Sequence, residues 1–356
     1  MNIILPAVYR GNIDINITAH RLTLLTDSPS LNLAPIKRNL HRHYNNGLTK
    51  YLKNLRLSIV TDLKTCKKIW QQLSPNENLF DLWDVRLAFH QSYGGQPYFM
   101  TLTKNSHLLA CLPLFYQNTI KKYTWFGSDW MENINFFTAD PYFLPILLYF
   151  APKPLVLEGI SQKSARLLPE FIKLEQDLPN FALDLTRLMT MDHYLSTLPK
   201  KKRYNFRRDY RKILELQPVV TFDDFDQFEK MITITKKRFH DKGEETDVEK
   251  DPFIEGAFYN LLHAGSSQFE AKLQTVTING RTAAIDMLAF HNGVVYPMRG
   301  GNDIPNFPGI GNFINYHEIN QAFAMGLKKI DYLQIGYGWK QRYLTTEPRF
   351  KIELTK

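Results

Sequence analysis

Asp286 stands in the middle of an apolar stretch, AAIDMLAF. An ionised carboxylate is costly in such surroundings unless it is paired, so the position suggests a base or an anchor for a substrate amine. A salt bridge to Arg299 in the next strand-like run, VVYPMRGGN, would answer the cost equally well. Tyr296 belongs to the same run and is available to touch substrate, although a tyrosine in a strand is more often a packing residue. Further on, FPGIGNF places Gly309 and Gly311 after Pro308 and before residues at helical spacing, Phe313, Tyr316, Asn320 and Phe323, with Gly326 where the helix should stop. Glycines there allow a sharp turn and a close approach of ligand to backbone, and free N–H groups at the helix start would face an anion such as a pyrophosphate. The loop lacks the Gly-Lys-Ser/Thr of a Walker loop and the third glycine of a dinucleotide fingerprint. Taken alone, it reads more readily as a structural turn.

A second chemical signal is charge. Lys200, Lys201, Lys202, Arg203, Arg207, Arg208, Arg211 and Lys212 crowd one helical stretch, LPKKKRYNFRRDYRKI. Arg203, Arg207 and Arg208 are the candidates for binding phosphate or an anionic acceptor. Tyr204, Phe206 and Tyr210 interleave with them, and the four-residue spacing of the last two also suits a buried face. His240, in KKRFHDKG, ends a long helical run, where a histidine more often meets the helix dipole than a substrate. His41 and His43, among Arg38, Arg42 and Lys50, read as a solvated basic face.

Forty-four Lys and Arg against 35 Asp and Glu give a net charge of +9, a bias towards anionic partners without a choice among them. The length of 356 residues suits two domains, and 44% hydrophobic content excludes a disordered chain. Only Cys66 and Cys111 are present, widely spaced, so neither a disulfide framework nor a metal site is expected. The opening residues lack a signal-peptide pattern and DPYFLPILLYFAPKPLVL is cut by prolines, which leads to the expectation of a soluble, cytoplasmic protein without a membrane span.

The elements that must position these residues come in a repeated order. Residues 1–55 form an N-terminal extension with the turn-like clusters TDSPSLNLAP and HYNNG. A first lobe, 56–181, begins with the strand LRLSIVTD and the helices LKTCKKIWQQL and FDLWDVRLAFHQSY. Two strands around KNSH, an aromatic segment, the strand PKPLVLEGI and a helical SARLLPEFIKLEQD complete it. A second lobe, 182–356, places the basic helix and two further helices before strands that include a hairpin at Asn279-Gly280. The repetition is one of element order, helix pair then meander, and mixed α/β architecture follows.

At this point the chain resembles the GNAT acyltransferase superfamily. There a meander leads to a strand, a glycine loop of pattern Gln/Arg-x-x-Gly-x-Gly/Ala, a helix and a further strand. Asn306 to Gly311 carry both glycines, with Asn306 where the family has Gln or Arg. GIGNFINYHEINQAFAMGLKKIDYLQIGYGWKQRY is similar to the closing segment of the tandem-GNAT group, which includes Fem-type aminoacyltransferases and CelD-like acetyltransferases. The resemblance implies two GNAT-like lobes, each a mixed, mostly antiparallel sheet flanked by helices, with the donor site in the second. It implies acyl-CoA (acetyl-CoA) as donor co-substrate, no metal, and a cradle formed by Phe307, Gly309, Ile310, Gly311, Asn312 and Phe313. The strand VVYPMRGGN becomes the splayed strand whose amides face the thioester, with Pro297 interrupting its pairing. Lys340 corresponds to the lysine of a [Tyr/Trp]-Lys pair associated with the donor or the reaction centre. With Asp286, Tyr296 and Arg299, Lys340 completes the expected catalytic set.

Direct attack by an amine needs no covalent intermediate, and no Ser or Cys nucleophile motif is present. Three functions follow as expectations: N-acyl transfer from acyl-CoA to an amine-bearing small molecule or peptide; Fem-like transfer from aminoacyl-tRNA to a cell-wall precursor or peptide; and a non-catalytic nucleic-acid- or phosphate-binding protein.

Overall fold

The structure is a computed structural model, which describes residues 22–23, 38–40, 54–222, 225–264, 266–334 and 338–355. The basic cluster of His41, Arg42, His43 and Lys50, the turn-like clusters of the extension, and Gly336 and Tyr337 of the GYGW motif lie outside these residues.

Two mixed sheets, each flanked by helices, are built in the same order. In the first lobe the order is β1 (Leu55–Val60), α1 (Leu63–Leu73), α2 (Trp83–Tyr93), β2 (Pro97–Lys104), β3 (His107–Gln117), β4 (Lys122–Trp125), α3 (Leu144–Phe150) and β5 (Leu155–Ser161). In the second, β6 (Asn180–Asp184) and α4 (Lys200–Leu214) lead into β7 (Val219–Phe222), α5 (Gln227–His240), α6 (Ile254–His263), β8 (Glu270–Ile278), β9 (Arg281–His291), β10 (Val294–Asn302), α7 (Ile310–Ala324) and β11 (Lys329–Asp331). The chain ends with β12 (Thr345–Glu347) and β13 (Arg349–Leu354). Short hairpins fix the meanders: Asn105-Ser106 and Asn279-Gly280 all take positive φ, which matches the twist of paired strands.

One strand crosses between the lobes. A division at 181/182 would give the whole C-terminal tail to the second lobe, yet β13 pairs antiparallel with β5 in the first sheet. β6, at the boundary itself, pairs with β11 and β12 in the second sheet. SARLLPEFIKLEQD is not one helix: only Gln162–Ala165 is helical, and turns carry the chain past Pro169 to the edge strand Glu175–Gln176. Proline at that point cannot continue the ladder of helical hydrogen bonds.

The largest hydrophobic core runs through both lobes, joining Leu79, Phe80 and Phe89 of the first to Phe258, Met287, Tyr296 and Met298 of the second. Helices α2 and α6 meet closely, with Phe89 edge-on to Phe258 at 5.5 Å. Gly256 permits this approach, since a Cβ there would lie 2.7 Å from Ser92 Oγ. With so much apolar surface shared, the lobes hold the wall between them in a fixed position.

Candidate active site

In the second sheet β10 and β11 run parallel, but they pair only at Val294–Lys329 and Val295–Ile330. Beyond this the strands part. On its other side β10 slips against β9: Leu288 faces Pro297 and Met287 faces Arg299, so Met298 is an extra residue. A bulge of this kind bends the strand away and leaves a peptide unit outside the ladder. The gap opens into a cavity of about 410 Å³ lined by residues of both lobes.

At one end lies the glycine loop. Gly309 has φ 101° and caps α7, a conformation that a side chain would strain. A side chain on Gly311 would project into open space. Gly309, Gly311 and Asn312 line the cavity. Phe307, Ile310 and Phe313 do not: all three are buried against Ile213 of α4. The basic helix is held there by aromatic stacking, Tyr210 on Tyr316 at 3.9 Å and Phe206 on Tyr343 at 4.7 Å, so Phe206 and Tyr210 form its buried face. Arg207 pairs with Asp192 at 2.7 Å, and Arg208 grips Asp209. Arg203 donates to Ser196 O at 3.4 Å, and none of the three arginines lines the cavity. What α4 does supply is Asp209, whose carboxylate accepts from Asn312 Nδ2 at 2.6 Å and whose Cβ is pressed against Gly309.

At the other end three acidic side chains are buried. Asp286 projects from the centre of β9 and meets Glu318 of α7. Burial pushes Asp286 up to about 6, against the opposing pull of the Glu318 hydrogen bond and of Arg238. Burial and the Asp286 charge push Glu318 well above the usual carboxylate range. Tyr332 donates its hydroxyl to Glu318 Oε2 at 3.1 Å. Glu132, from the first lobe, is raised to about 7 by burial and accepts from the Gln334 amide at 2.6 Å.

Lys340 is also buried, and its ammonium donates to the Tyr332 carbonyl. Desolvation lowers it to about 8, although Glu132 and Asp331 favour its charged form. The expected bridge between Asp286 and Arg299 does not form. Because of the bulge Asp286 lies opposite Gly300, and Arg299 pairs instead with Asp247 at 2.5 Å, its guanidinium over the Phe258 ring. Tyr296 is turned away from the cavity and accepts from the Leu79 amide at 3.3 Å, a contact between lobes. His240 pairs with Glu249 at 2.5 Å on the surface.

Asp286, Arg299 and Lys340 are therefore brought together with Gly309, Gly311 and Asn312. Sequence reasoning missed Glu318, Glu132, Asp209 and Tyr332. Only Glu318 left a signal: it follows Ile314 and precedes Ala322 by four residues, placing an acid on the buried stripe of α7.

Residues 200–341 match the family model described as the acetyltransferase (GNAT) domain. The match falls within the second lobe. Its parallel splayed pair, glycine loop and following helix are the parts on which this match falls. Solved structures extend the likeness to both lobes. FemX superposes with a TM-score of 0.53 at 10% identity, over 82% of this chain and 96% of that one. A conserved protein of unknown function from Bacteroides thetaiotaomicron gives 0.53 at 15% identity, over 83% and 99%. By sequence, none of the curated proteins matches the chain significantly. Among the described residues no helix of the protein is long and apolar enough to cross a membrane, and no cluster of His, Cys, Asp and Glu could hold a metal ion.

Proposed function

We propose that the protein is an N-acyltransferase that moves an acyl group from acyl-CoA to an amine by direct attack. The observation that carries this reading is the single cavity between β10 and β11, which connects the glycine loop to the buried Asp286 and Lys340. The donor's pyrophosphate would lie against Gly309 and Gly311, with its thioester between the parted strands. Met298 has no partner in the β9 register, and its peptide N–H would meet the carbonyl oxygen as charge develops there. Attack forms the N–C bond, and collapse of the tetrahedral intermediate breaks the C–S bond. Asp286 Oδ takes the proton released by the amine, and Lys340 Nζ supplies one to the leaving thiolate. A base near 6 and an acid near 8 are suited to these roles around neutral pH.

One observation favours a second reading, transfer from aminoacyl-tRNA: Asp209 sets a negative charge beside the loop where a pyrophosphate would bind. The deciding experiment follows melting temperature against acetyl-CoA, long-chain acyl-CoA and free CoA, alongside amide formation with a panel of amines. Concentration-dependent stabilisation and amide product support acyl-CoA. Absence of both, with product from charged tRNA, supports the second reading.

A further inference from the structure

Asp286 and Glu318 form an unusual contact for two acids. Asp286 is 7% exposed and Glu318 4%, and both line the cavity. Among the described residues no hydrogen bond or ion pair joins Asp286 to a cation. Arg238, across from it on α5, acts on it only through space. Glu318 Oε2 takes the Tyr332 hydroxyl, whereas Glu318 Oε1 is buried with no donor among the described residues. Two ionised carboxylates cannot share such a place, because neither can be screened by water and each repels the other. One proton between them removes the repulsion and satisfies the orphaned oxygen.

The backbone makes room for this pair. A Cβ on Gly300 would lie 2.0 Å from Asp286 Oδ1. On the opposite face of β10 a Cβ on Gly301 would lie 2.6 Å from the Met231 carbonyl of α5. Neither glycine has a positive φ, so close approach from each face in turn accounts for the Gly-Gly pair.

We propose that Glu318 is a positioning residue that holds one proton against Asp286, leaving Asp286 as the charged member of the pair, facing the acceptor amine. This rests on the acyltransferase reading for its consequence, though not for its physical content. Tyr332 anchors Glu318 from one side, Asp286 receives its proton from the other, and the second Asp286 oxygen is left to accept from the amine. Glu318 acts through Asp286 and takes no proton from substrate.

The test uses two variants of the full chain. Glu318→Gln keeps a permanent donor to Asp286, whereas Glu318→Leu removes the donor and fills the space with carbon. Infrared difference spectra at neutral pH should show a protonated carboxyl in the wild type that is absent from both variants. In acyl transfer Glu318→Gln should stay within about threefold of wild type, while Glu318→Leu loses about 10²-fold in kcat, in the range for impaired general base catalysis. The acid limb of its pH profile should move upward, because the Asp286 carboxylate has lost a hydrogen bond that favours its charged form. A merely structural glutamate would leave both limb and rescue unchanged. Absence of the carboxyl band overturns proton sharing, and a Leu variant that turns over like wild type overturns the positioning role. If the band is present but no donor yields product, the pair stands and the acyltransfer reading fails.

Discussion

The two lobes share one topology and treat its central gap in opposite ways. In the first, parallel β4 and β5 pair only at Tyr123 and Leu155, then diverge as β10 and β11 do in the second. There the divergence is filled. Trp125 Nε1 donates across it to Glu158 O at 2.7 Å. The segment after β4 then pairs along β5, with Ile134 N on Gly159 O at 2.8 Å and Ser161 N on Ile134 O at 3.1 Å. Gly159 is so tightly covered that a Cβ would lie 2.5 Å from Met131 O. The corresponding helix, α3, is buried over Leu144 to Leu148 and has no glycine loop before it. In the second lobe the gap opens instead into a cavity that charged groups face, Asp286, Arg299 and Lys340 among them. One divergence is thus closed for stability and the other is kept open for a ligand. The plug also serves its neighbour, since Trp130 and Glu132 within it form part of the second lobe's cavity wall.

The sharpest break of this comparison is chemical. Asp286→Asn keeps shape but removes the base, so kcat should fall by about 10²–10⁴-fold with the melting temperature little changed; steady-state kinetics and calorimetry on the same preparation check both. Trp125→Ala is the mirror experiment. It empties the closed gap and should cost about 3–5 kcal/mol in denaturant unfolding, while kcat per folded molecule stays the same. If Trp125→Ala abolished turnover without loss of stability, the first gap would be a site and the contrast would fail.

A smaller effect is expected at the loop. Gly311→Trp should remove CoA-induced stabilisation, a loss of about 2.7 kcal/mol at ligand a hundredfold above Kd. The open gap should also show in the pH dependence of stability. Burial raises Asp286 from 3.8 to about 6 and Glu132 from 4.5 to about 7. Each therefore binds its proton more tightly when folded, and its contribution is complete below about pH 4 and lost as pH rises through these folded values. Chemical unfolding from pH 4.5 to 8 should show that loss in the wild type and a shallower one in Asp286→Asn and Glu132→Gln. Equal slopes would mean that water or a cation relieves both acids.

Periodicity made most of the elements legible: α1, the hairpins at Asn105 and Asn279, and α7 with its stop at Gly326 lie where local pattern places them. The fold class and the open end of the site followed from the same residues. What local pattern cannot carry is partnership between distant strands. RFKIEL reads as strand whichever sheet it joins, so the crossing of β13 to the first sheet left no mark. A bridge to Arg299 is one of two readings that the sequence offers for Asp286, and it requires strand neighbours to pair in unbroken register. The Met298 bulge moved that register by one residue and turned the guanidinium towards Asp247. Glu132 was invisible for a related reason: it reaches the cavity from the other lobe.

The smallest expected effect bears most directly on the donor. Asp209 is the acid set against Gly309 and Asn312, with its charge shared by Arg208 and Asn312. Asp209→Asn keeps the side chain's size and can still hydrogen-bond to Asn312, while the helix start gains about one unit of positive potential. Removing a charge near a helix terminus is worth about 0.3–1 kcal/mol, so CoA should bind roughly two- to fivefold more tightly. Calorimetric titration at two salt concentrations measures this, and the gain should shrink at high salt as screening weakens the charge. Tighter binding would mean that the open gap already accepts a pyrophosphate against an opposing charge. If neither wild type nor variant bound CoA, Asp209 would stand as a device against pyrophosphate donors, and the gap would be open for an acyl group delivered on a different carrier.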